Sequence, residues 1–437
     1  MTALMSKSIT ENPSARSVAL DLLEAVLQKK ISLDQALARH IFMAVLEDRD
    51  RNHARAMVST TLRRLGQIDA LIEIALERPL PRKSVCVKNI LRLGIVQLLF
   101  MNTPPHAAVD TAVKLAQDRG HGPHKKLVNA VLRRISREGG SLIEKQDAAR
   151  LNTPDWLWNS WLKAYGAKDC RDIAEVHLTE APLDITAPHD TALWAKRLEA
   201  KILSTGTLRR DAGGLINELP GFKEGAWWVQ GAAASLPVRL LGDVKNKHVI
   251  DLCAAPGGKT AQLAQAGAKV TAVDRSEKRL ALLQNNMTRL NLDINYTTAD
   301  AALWRPDNPA SAVLLDAPCS STGTIRRHPD VAHLKSPADV VKLAEVQKRL
   351  LDAAVDMVRP GGLIVFCLCS LEPEEGPALA RALQANSAAI THVPILSEEV
   401  GGNKGFISNT GDLRTLPCHL REQGGIEGFF AARFQRQ

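Results

Sequence analysis

The sequence has no CxxC pair and no grouping of His and Cys at the spacing of a zinc site, which argues against a structural metal. Its seven cysteines, at 86, 170, 253, 319, 367, 369 and 418, are scattered and odd in number. That argues against a disulfide framework and leaves free thiols suited to a reducing compartment. No apolar run approaches the roughly 18 residues needed to span a membrane. The opening stretch Met1–Pro13 is polar and lacks the apolar core of a secretory signal. These absences point to a cytoplasmic protein with no membrane partner.

What is present is a globular composition, 45% hydrophobic, in a chain of 437 residues, too long for one ordinary core. Two or three domains are expected. The net charge of +9 is unevenly placed: residues 1–150 hold 24 Lys and Arg against 15 Asp and Glu, while the rest of the chain balances. A solvated helical surface would explain that excess. So would an electrostatic arm for an anionic polymer, and the clustering of Lys125, Lys126, Arg133, Arg134 and Arg137 favours the arm.

From Ser14 to Arg137 the apolar residues recur at three- to four-residue spacing, as in Val18, Leu22 and Val26, or Ile90, Leu93 and Val96. Pro79, Pro81, Pro104 and Pro105 punctuate the segment. The pattern predicts an all-α bundle of six or seven helices over residues 1–145. In its last helix Val128, Val131, Leu132 and Ile135 face the core, and Lys126, Arg133 and Arg137 face water. Gly139-Gly140 reads as a break. Residues 146–235 read as a small mixed α/β connecting domain. It has an amphipathic helix from Pro154 to Tyr165, whose three tryptophans are better suited to packing than to base stacking, and strand-like pieces at Leu183–Thr186 and Trp227–Val229. Over residues 236–437 apolar runs alternate with helical stretches: His248–Leu252, Lys269–Val273, Asn295–Thr298, Ala312–Leu315 and Leu363–Leu368, with Gly428–Phe434 as a late strand. Such runs describe a doubly wound α/β domain with a parallel sheet buried on both faces. Its ligands sit beyond the carboxyl ends of the strands.

The chemistry-bearing residues fall at those strand ends. Asp251-Leu-Cys253-Ala254-Ala255-Pro256-Gly257-Gly258-Lys259-Thr260 follows one strand and opens a helix. Its glycines let backbone pass close to a ligand, and the helix amides suit an anionic group. It is neither a Walker A loop, since Cys253 stands where glycine is required, nor GxGxxG. Asp274 ends the next strand, where an acid accepts hydrogen bonds from ribose hydroxyls; a plain helix cap is the competing reading. Asp300 ends the third and suits an adenine amino group. Together they describe an adenosine-bearing cofactor.

Two further segments each carry a cysteine just beyond a strand: Asp316-Ala-Pro-Cys319-Ser-Ser-Thr-Gly323, leading into Arg326-Arg327-His328-Pro-Asp330, and Phe366-Cys367-Leu-Cys369-Ser370. A single cysteine is usually a small buried hydrophobe, and Cys367, inside its strand, fits that reading. Two thiols on one rim beside an acid suit another task. Carbon 5 of cytosine is too weak a nucleophile to take a methyl group from a sulfonium. A thiolate adding to carbon 6 makes carbon 5 reactive. An ordinary thiol is mostly protonated at neutral pH and needs local help. An acid such as Asp316 suits the cytosine N3/N4 edge, and the base must be unpaired or flipped out.

These motifs together resemble the RNA cytosine-C5 methyltransferases of the Nop2/Sun class, in their bacterial small-subunit rRNA branch. The resemblance covers nearly the whole chain. Asn89–Gly94 through Pro104–Val109 and Leu127–Ile135 resemble a NusB-like RNA-binding domain. The resemblance implies a Rossmann-like methyltransferase domain and S-adenosylmethionine as cofactor. The implied substrate is 16S rRNA or a small-subunit assembly intermediate, met by a monomer. It implies that Cys369 is the nucleophile, that Cys319 assists product release, and that Asp316 lies near both cofactor and base. Cys253 through Lys259, with Asp274, Asp300 and Asp316, match the cofactor-binding positions. Four residues depart from the pattern: Ser321 stands where glycine is usual, Gly231 and Ser235 replace polar residues before the methyltransferase fold, and Gly376 replaces Asn.

Three other classes fit the sequence less well. A non-catalytic RNA binder has no use for both Cys319 and Cys369. A DNA cytosine methyltransferase would use Pro318-Cys319 as nucleophile, but the CxCS at 367–370 and the basic helical segment favour RNA. An amino-group methyltransferase would carry Pro-Pro-aromatic where this chain has Ala317-Pro318-Cys319.

Overall fold

The computed structural model describes residues 14–437; the polar stretch Met1–Pro13 lies outside the described residues. The chain divides into two compact units. One runs to Trp158 and takes in His328–Leu334, and the other comprises Asn159–Arg327 and Lys335–Gln437.

The first unit includes the helices α1 (Ala15–Leu27), α2 (Leu33–Arg39), α3 (Asp48–Arg63), α4 (Leu65–Ala75), α5 (Val85–Leu99), α6 (Pro105–Asp118) and α7 (Lys125–Glu144). Ser14 and Ser32 cap α1 and α2 by accepting the Ser17 and Gln35 amides. Val18, Leu22 and Val26 of α1, Ile90, Leu93 and Val96 of α5, and Val128, Val131, Leu132 and Ile135 of α7 are all buried in one core. Their three- to four-residue spacing puts each set on one helix face. Lys126, Arg133 and Arg137 are exposed on the far side of α7. The expected break at Gly139-Gly140 does not occur, since α7 runs through it to Glu144. A Cβ at Gly139 would come within 3.0 Å of Ile135 and of Leu99 on α5, so this glycine serves close packing rather than a turn.

The segment His328–Leu334 is seated in this unit. Asp330 Oδ2 accepts the Leu33 amide at 2.9 Å, at the start of α2. His333, whose pKa burial lowers, donates to the Leu62 carbonyl at 2.9 Å.

The second unit opens at Asn159, within a helix spanning Asp155–His177 that is interrupted at Gly166, where φ is +82°. It carries buried Trp161. A four-stranded antiparallel sheet follows: β1 (Leu183–Thr186), β2 (Lys201–Ile202), β3 (Leu208–Arg210) and β4 (Trp228–Val229), in the order β2-β3-β1-β4. Asp184 on β1 faces Arg209 on β3 in register, and the buried pair is bidentate at 2.7 and 2.8 Å.

The large sheet holds β5 (His248–Leu252), β6 (Lys269–Asp274), β7 (Asn295–Thr298), β8 (Ala310–Asp316), β9 (Val358–Leu368), β10 (Ile390–His392), β11 (Leu413–Thr415) and β12 (Phe429–Arg436). Its order is β10-β12-β9-β8-β5-β6-β7, with β11 paired to β12. The strands from β9 through β7 are parallel; β10, β11 and β12 run antiparallel to their partners, so the sheet is mixed. Helices on both faces bury β5, β8 and β9, as the continuous apolar runs required.

Candidate active site

The carboxyl ends of β9, β8, β5, β6 and β7 form one rim in that spatial order. Along it lie Cys369, then Asp316 with Cys319, then the Cys253–Gly258 loop, then Asp274, then Asp300. The fold thus brings every candidate residue to the same edge. The thiols stand at one end and the acids suited to an adenosine at the other.

The loop after β5 makes its turn through two left-handed residues, Cys253 at φ +61° and Gly257 at φ +107°. A Cβ at Gly257 would meet Leu283 Cγ at 2.8 Å, so glycine is required there by space as well as by φ. Burial pushes the Cys253 thiol up to about 12, which leaves it protonated and inert. Asp274 is buried and ties the loop to β6, with Oδ2 accepting the Ala255 amide at 3.2 Å and Oδ1 accepting that of Ser276 at 2.9 Å. The cap of the following helix is Ser276, not Asp274. Asp300 is exposed, and its Oδ1 accepts the Ala302 amide at 2.9 Å.

Lys259, in the first turn of the helix Gly258–Gln265, points to β8. Its Nζ lies 2.7 Å from Asp316 Oδ2 and over the Phe429 ring at 5.3 Å from the centroid. Burial alone would lower the ammonium pKa, but Asp316 outweighs it and the value stands above the ordinary lysine range. Beneath the loop, Asp251 is fully buried. Its carboxyl is pushed up to about 7 by burial, and only Oδ2 has a donor, Thr260 Oγ1 at 2.5 Å.

At the other end of the rim Cys319 Sγ and Cys369 Sγ are 3.6 Å apart. Either thiol can donate to the other. The shared hydrogen bond lowers the Cys369 pKa and, with burial, raises that of Cys319 well above its usual value. Cys367 is fully buried in β9 with its sulfur 3.7 Å from Asp316 Oδ1, and burial raises its thiol well above the usual value.

Sequence reasoning missed the polar layer under the thiols. Glu375 is fully buried; its Oε1 accepts the Ser320 amide and Gln347 Nε2, each at 2.9 Å, and its Oε2 accepts the Ser320 hydroxyl. Gln347 also donates to the Pro318 carbonyl at 2.9 Å. Ser320 and Ser370 hydroxyls meet at 3.0 Å, and the Gly323 amide donates to the Cys369 carbonyl at 3.0 Å. The two cysteine loops are therefore stitched together by buried hydrogen bonds. A Cβ at Gly323 would lie 1.9 Å from the Gly428 carbonyl oxygen, which explains glycine there. Glu372, next in sequence to this layer, accepts from Trp161 Nε1 at 3.0 Å.

Two of the departures have local reasons. A Cβ at Gly231 would fall 2.2 Å from Glu427 Oε1, and that carboxylate in turn accepts the Ala233 amide and pairs with Arg327 at 2.6 Å. At Gly376 a Cβ would fall 2.4 Å from the Phe430 ring. Of the run from Arg326 to Asp330, Arg326 and Arg327 stay in this unit, and His328–Asp330 belong to the first. Among the described residues no group of three or more His, Cys, Asp or Glu is placed to hold a metal ion, and no helix is long and apolar enough to cross a membrane.

An open, doubly wound sheet with this loop and these acids along its rim defines an S-adenosylmethionine-dependent methyltransferase, here behind an N-terminal helical bundle. The family profile described as 16S rRNA methyltransferase RsmB/F matches residues 238–435, and that of the NusB family matches residues 13–137. The chain belongs to the RsmB/F family of rRNA small-subunit methyltransferases. It is 32% identical to the ribosomal RNA small subunit methyltransferase B of Cronobacter sakazakii over 92% of this chain and 97% of that one. To the protein of the same name from Pseudomonas putida it is 33% identical over 96% and 97%. Among solved structures, PH0851 shares the fold over 98% of this chain and 100% of its own, at TM-score 0.74 and 21% identity. NSun6 from Pyrococcus horikoshii, solved with SFG, shares it over 65% of this chain and 98% of its own, at TM-score 0.53 and 19% identity.

Proposed function

We propose that the protein methylates carbon 5 of one cytosine in 16S rRNA through a covalent adduct between Cys369 and carbon 6 of the base. The observation that carries this reading is the pair Cys319–Cys369 at 3.6 Å, on the rim beside Asp316.

The cofactor residues fit their ligand. Asp274 and Asp316 end β6 and β8, and Asp300 lies two residues beyond the end of β7, on either side of the loop Cys253-Ala254-Ala255-Pro256-Gly257-Gly258-Lys259, an acceptor set suited to ribose hydroxyls and an adenine amino group. Asp274 takes the ribose, Asp300 the adenine, and the loop amides with Lys259 the methionine end. S-adenosylmethionine, when bound, supplies an electrophilic methyl group on a sulfonium.

The remaining steps belong to the chain and the base. The Cys369 thiolate forms a bond to carbon 6, and the ring electrons this displaces make carbon 5 nucleophilic. Asp316 holds the N3/N4 edge of the flipped cytosine. After methylation, the proton on carbon 5 is removed, its electron pair restores the 5,6 double bond, and the carbon–sulfur bond breaks to return the Cys369 thiolate. Cys319 assists this second half. Already hydrogen-bonded to the departing sulfur, it steadies the leaving thiolate.

In the same reading the bundle of residues 1–145 supplies RNA affinity, residues 146–235 connect, and residues 236–437 hold the chemistry. The protein works as a cytoplasmic monomer on 16S rRNA or an assembly intermediate. Bisulfite sequencing of 16S rRNA from a strain lacking the gene tests the substrate assignment. One cytosine should lose its resistance and regain it on complementation; an unchanged pattern contradicts the proposal.

A further inference from the structure

The hydroxyl of Ser321 has no task in the scheme above, yet it completes a triangle with the two thiols. Its Oγ accepts from the Cys369 thiol at 3.6 Å and lies 3.9 Å from Cys319 Sγ, against 3.6 Å between the sulfurs themselves. The backbone holds it there. Ser321 sits in the left-handed region, at φ +60° and ψ 24°, which strains any residue with a Cβ. Its carbonyl accepts both the Thr324 amide, at 3.0 Å, and the Thr324 hydroxyl, at 2.8 Å. Two residues on, the Gly323 amide is fixed to the Cys369 carbonyl. A glycine would make this turn without strain, but it would bring no donor to the sulfur.

We propose that Ser321 is a positioning residue for the nucleophile: its hydroxyl accepts from the neutral Cys369 thiol and, once that proton has left, turns to donate to the sulfur beside the Cys319 S–H, so favouring the thiolate. The other groups facing this sulfur divide. Burial and the carboxylate of Asp316 disfavour the thiolate, and Lys259 favours it. Glu375 faces Cys319 and works against ionisation there. With the charged groups opposed, a neutral donor in direct contact has leverage on the ionisation. The proposal rests on the reading of Cys369 as nucleophile. It deepens that reading by naming what prepares the thiol.

The test compares the full-length protein with Ser321→Ala and Ser321→Gly. Alanine removes the hydroxyl and keeps the strain; glycine removes both and fits the turn. Iodoacetamide labelling of Cys369, followed by mass spectrometry of its peptide across pH under reducing conditions, reads the thiol directly. Both variants should move the labelling midpoint of Cys369 upward by about half a pH unit, roughly a threefold loss of rate at pH 7. They should lower kcat by a similar factor and leave KM for S-adenosylmethionine unchanged. A midpoint unmoved in either variant overturns the proposal. So does a shift confined to alanine, which would report backbone strain rather than the hydroxyl. Methylation surviving in Cys369→Ala would instead remove the nucleophile reading, and the labelling result would still decide whether Ser321 acts on the thiol.

Discussion

Lys259 Nζ sits 2.7 Å from Asp316 Oδ2, linking the first turn after the glycine loop to the strand end that leads to Cys319. The lysine is almost wholly buried and the acid about one-third exposed, with side-chain exposures of 9% and 36%. Replacing the lysine leaves a partly desolvated carboxylate beside Cys369 with no counter-charge. Lys259→Ala should cost about 1–3 kcal/mol in denaturant unfolding, less than the ~3–5 kcal/mol of a fully buried pair because water still reaches Asp316. Its Cys369 should also label more slowly at neutral pH. A variant with wild-type stability and labelling would mean that the pair is ordinary surface.

Asp251 makes a pH prediction. Burial raises its carboxyl to about 7, above the ~3.9 of an unfolded chain, so between those values the folded protein holds the extra proton. Stability from the neutral acid is then fully present below about pH 4 and is lost as pH rises to about 7. Asp251→Asn removes that dependence. Its stability relative to wild type should improve from pH 5 to pH 8, by about 2–3 kcal/mol at most. Parallel unfolding midpoints across this range would show that Asp251 does not titrate there.

Asp274 holds two loop amides and, by the proposed reading, the cofactor ribose. Asp274→Ala should weaken S-adenosylmethionine binding, measured by calorimetry without RNA, by roughly 1–3 kcal/mol. Unchanged affinity in a folded variant would reduce the residue to a structural tie.

The exposed face of α7 should contact phosphate. Replacing Lys126, Arg133 and Arg137 with alanine should weaken RNA binding and flatten the log K against log salt plot by about one unit of slope per lost contact. An unaltered slope would assign the surplus charge to solvation alone.

The parts of the fold that sequence disclosed are those whose local pattern and final environment agree. β5, β8 and β9 carry runs such as Val313–Leu315 and Ile364–Leu368 that are buried, and the site residues announced themselves by falling at or just beyond the ends of strands. β10 and β11, three residues each, are too short to carry a period. The helix through Gly139-Gly140 was illegible for a different reason: a glycine that usually interrupts is placed here by Leu99, forty residues earlier. The Glu375–Ser320–Gln347 layer was hidden because its members are far apart in sequence and polar, and so read as surface until the sheet brings them together. The thiol pair was visible as two motifs, but their contact at 3.6 Å depends on a distance that no sequence states.

The different roles of the two cysteines are the centre of the account, and one gel measures them. Cys319→Ala and Cys369→Ala are each incubated with S-adenosylmethionine and 16S rRNA, then run under denaturing conditions. Because attack and elimination are separate steps with separate proton demands, the two variants should fail differently. Cys319→Ala should give a retarded, RNase-sensitive band in which methylated RNA stays covalently bound through Cys369. Cys369→Ala should give no such band and no methylation. An adduct in Cys369→Ala with none in Cys319→Ala would reverse the assignment, and full activity in both variants without an adduct would contradict the covalent mechanism.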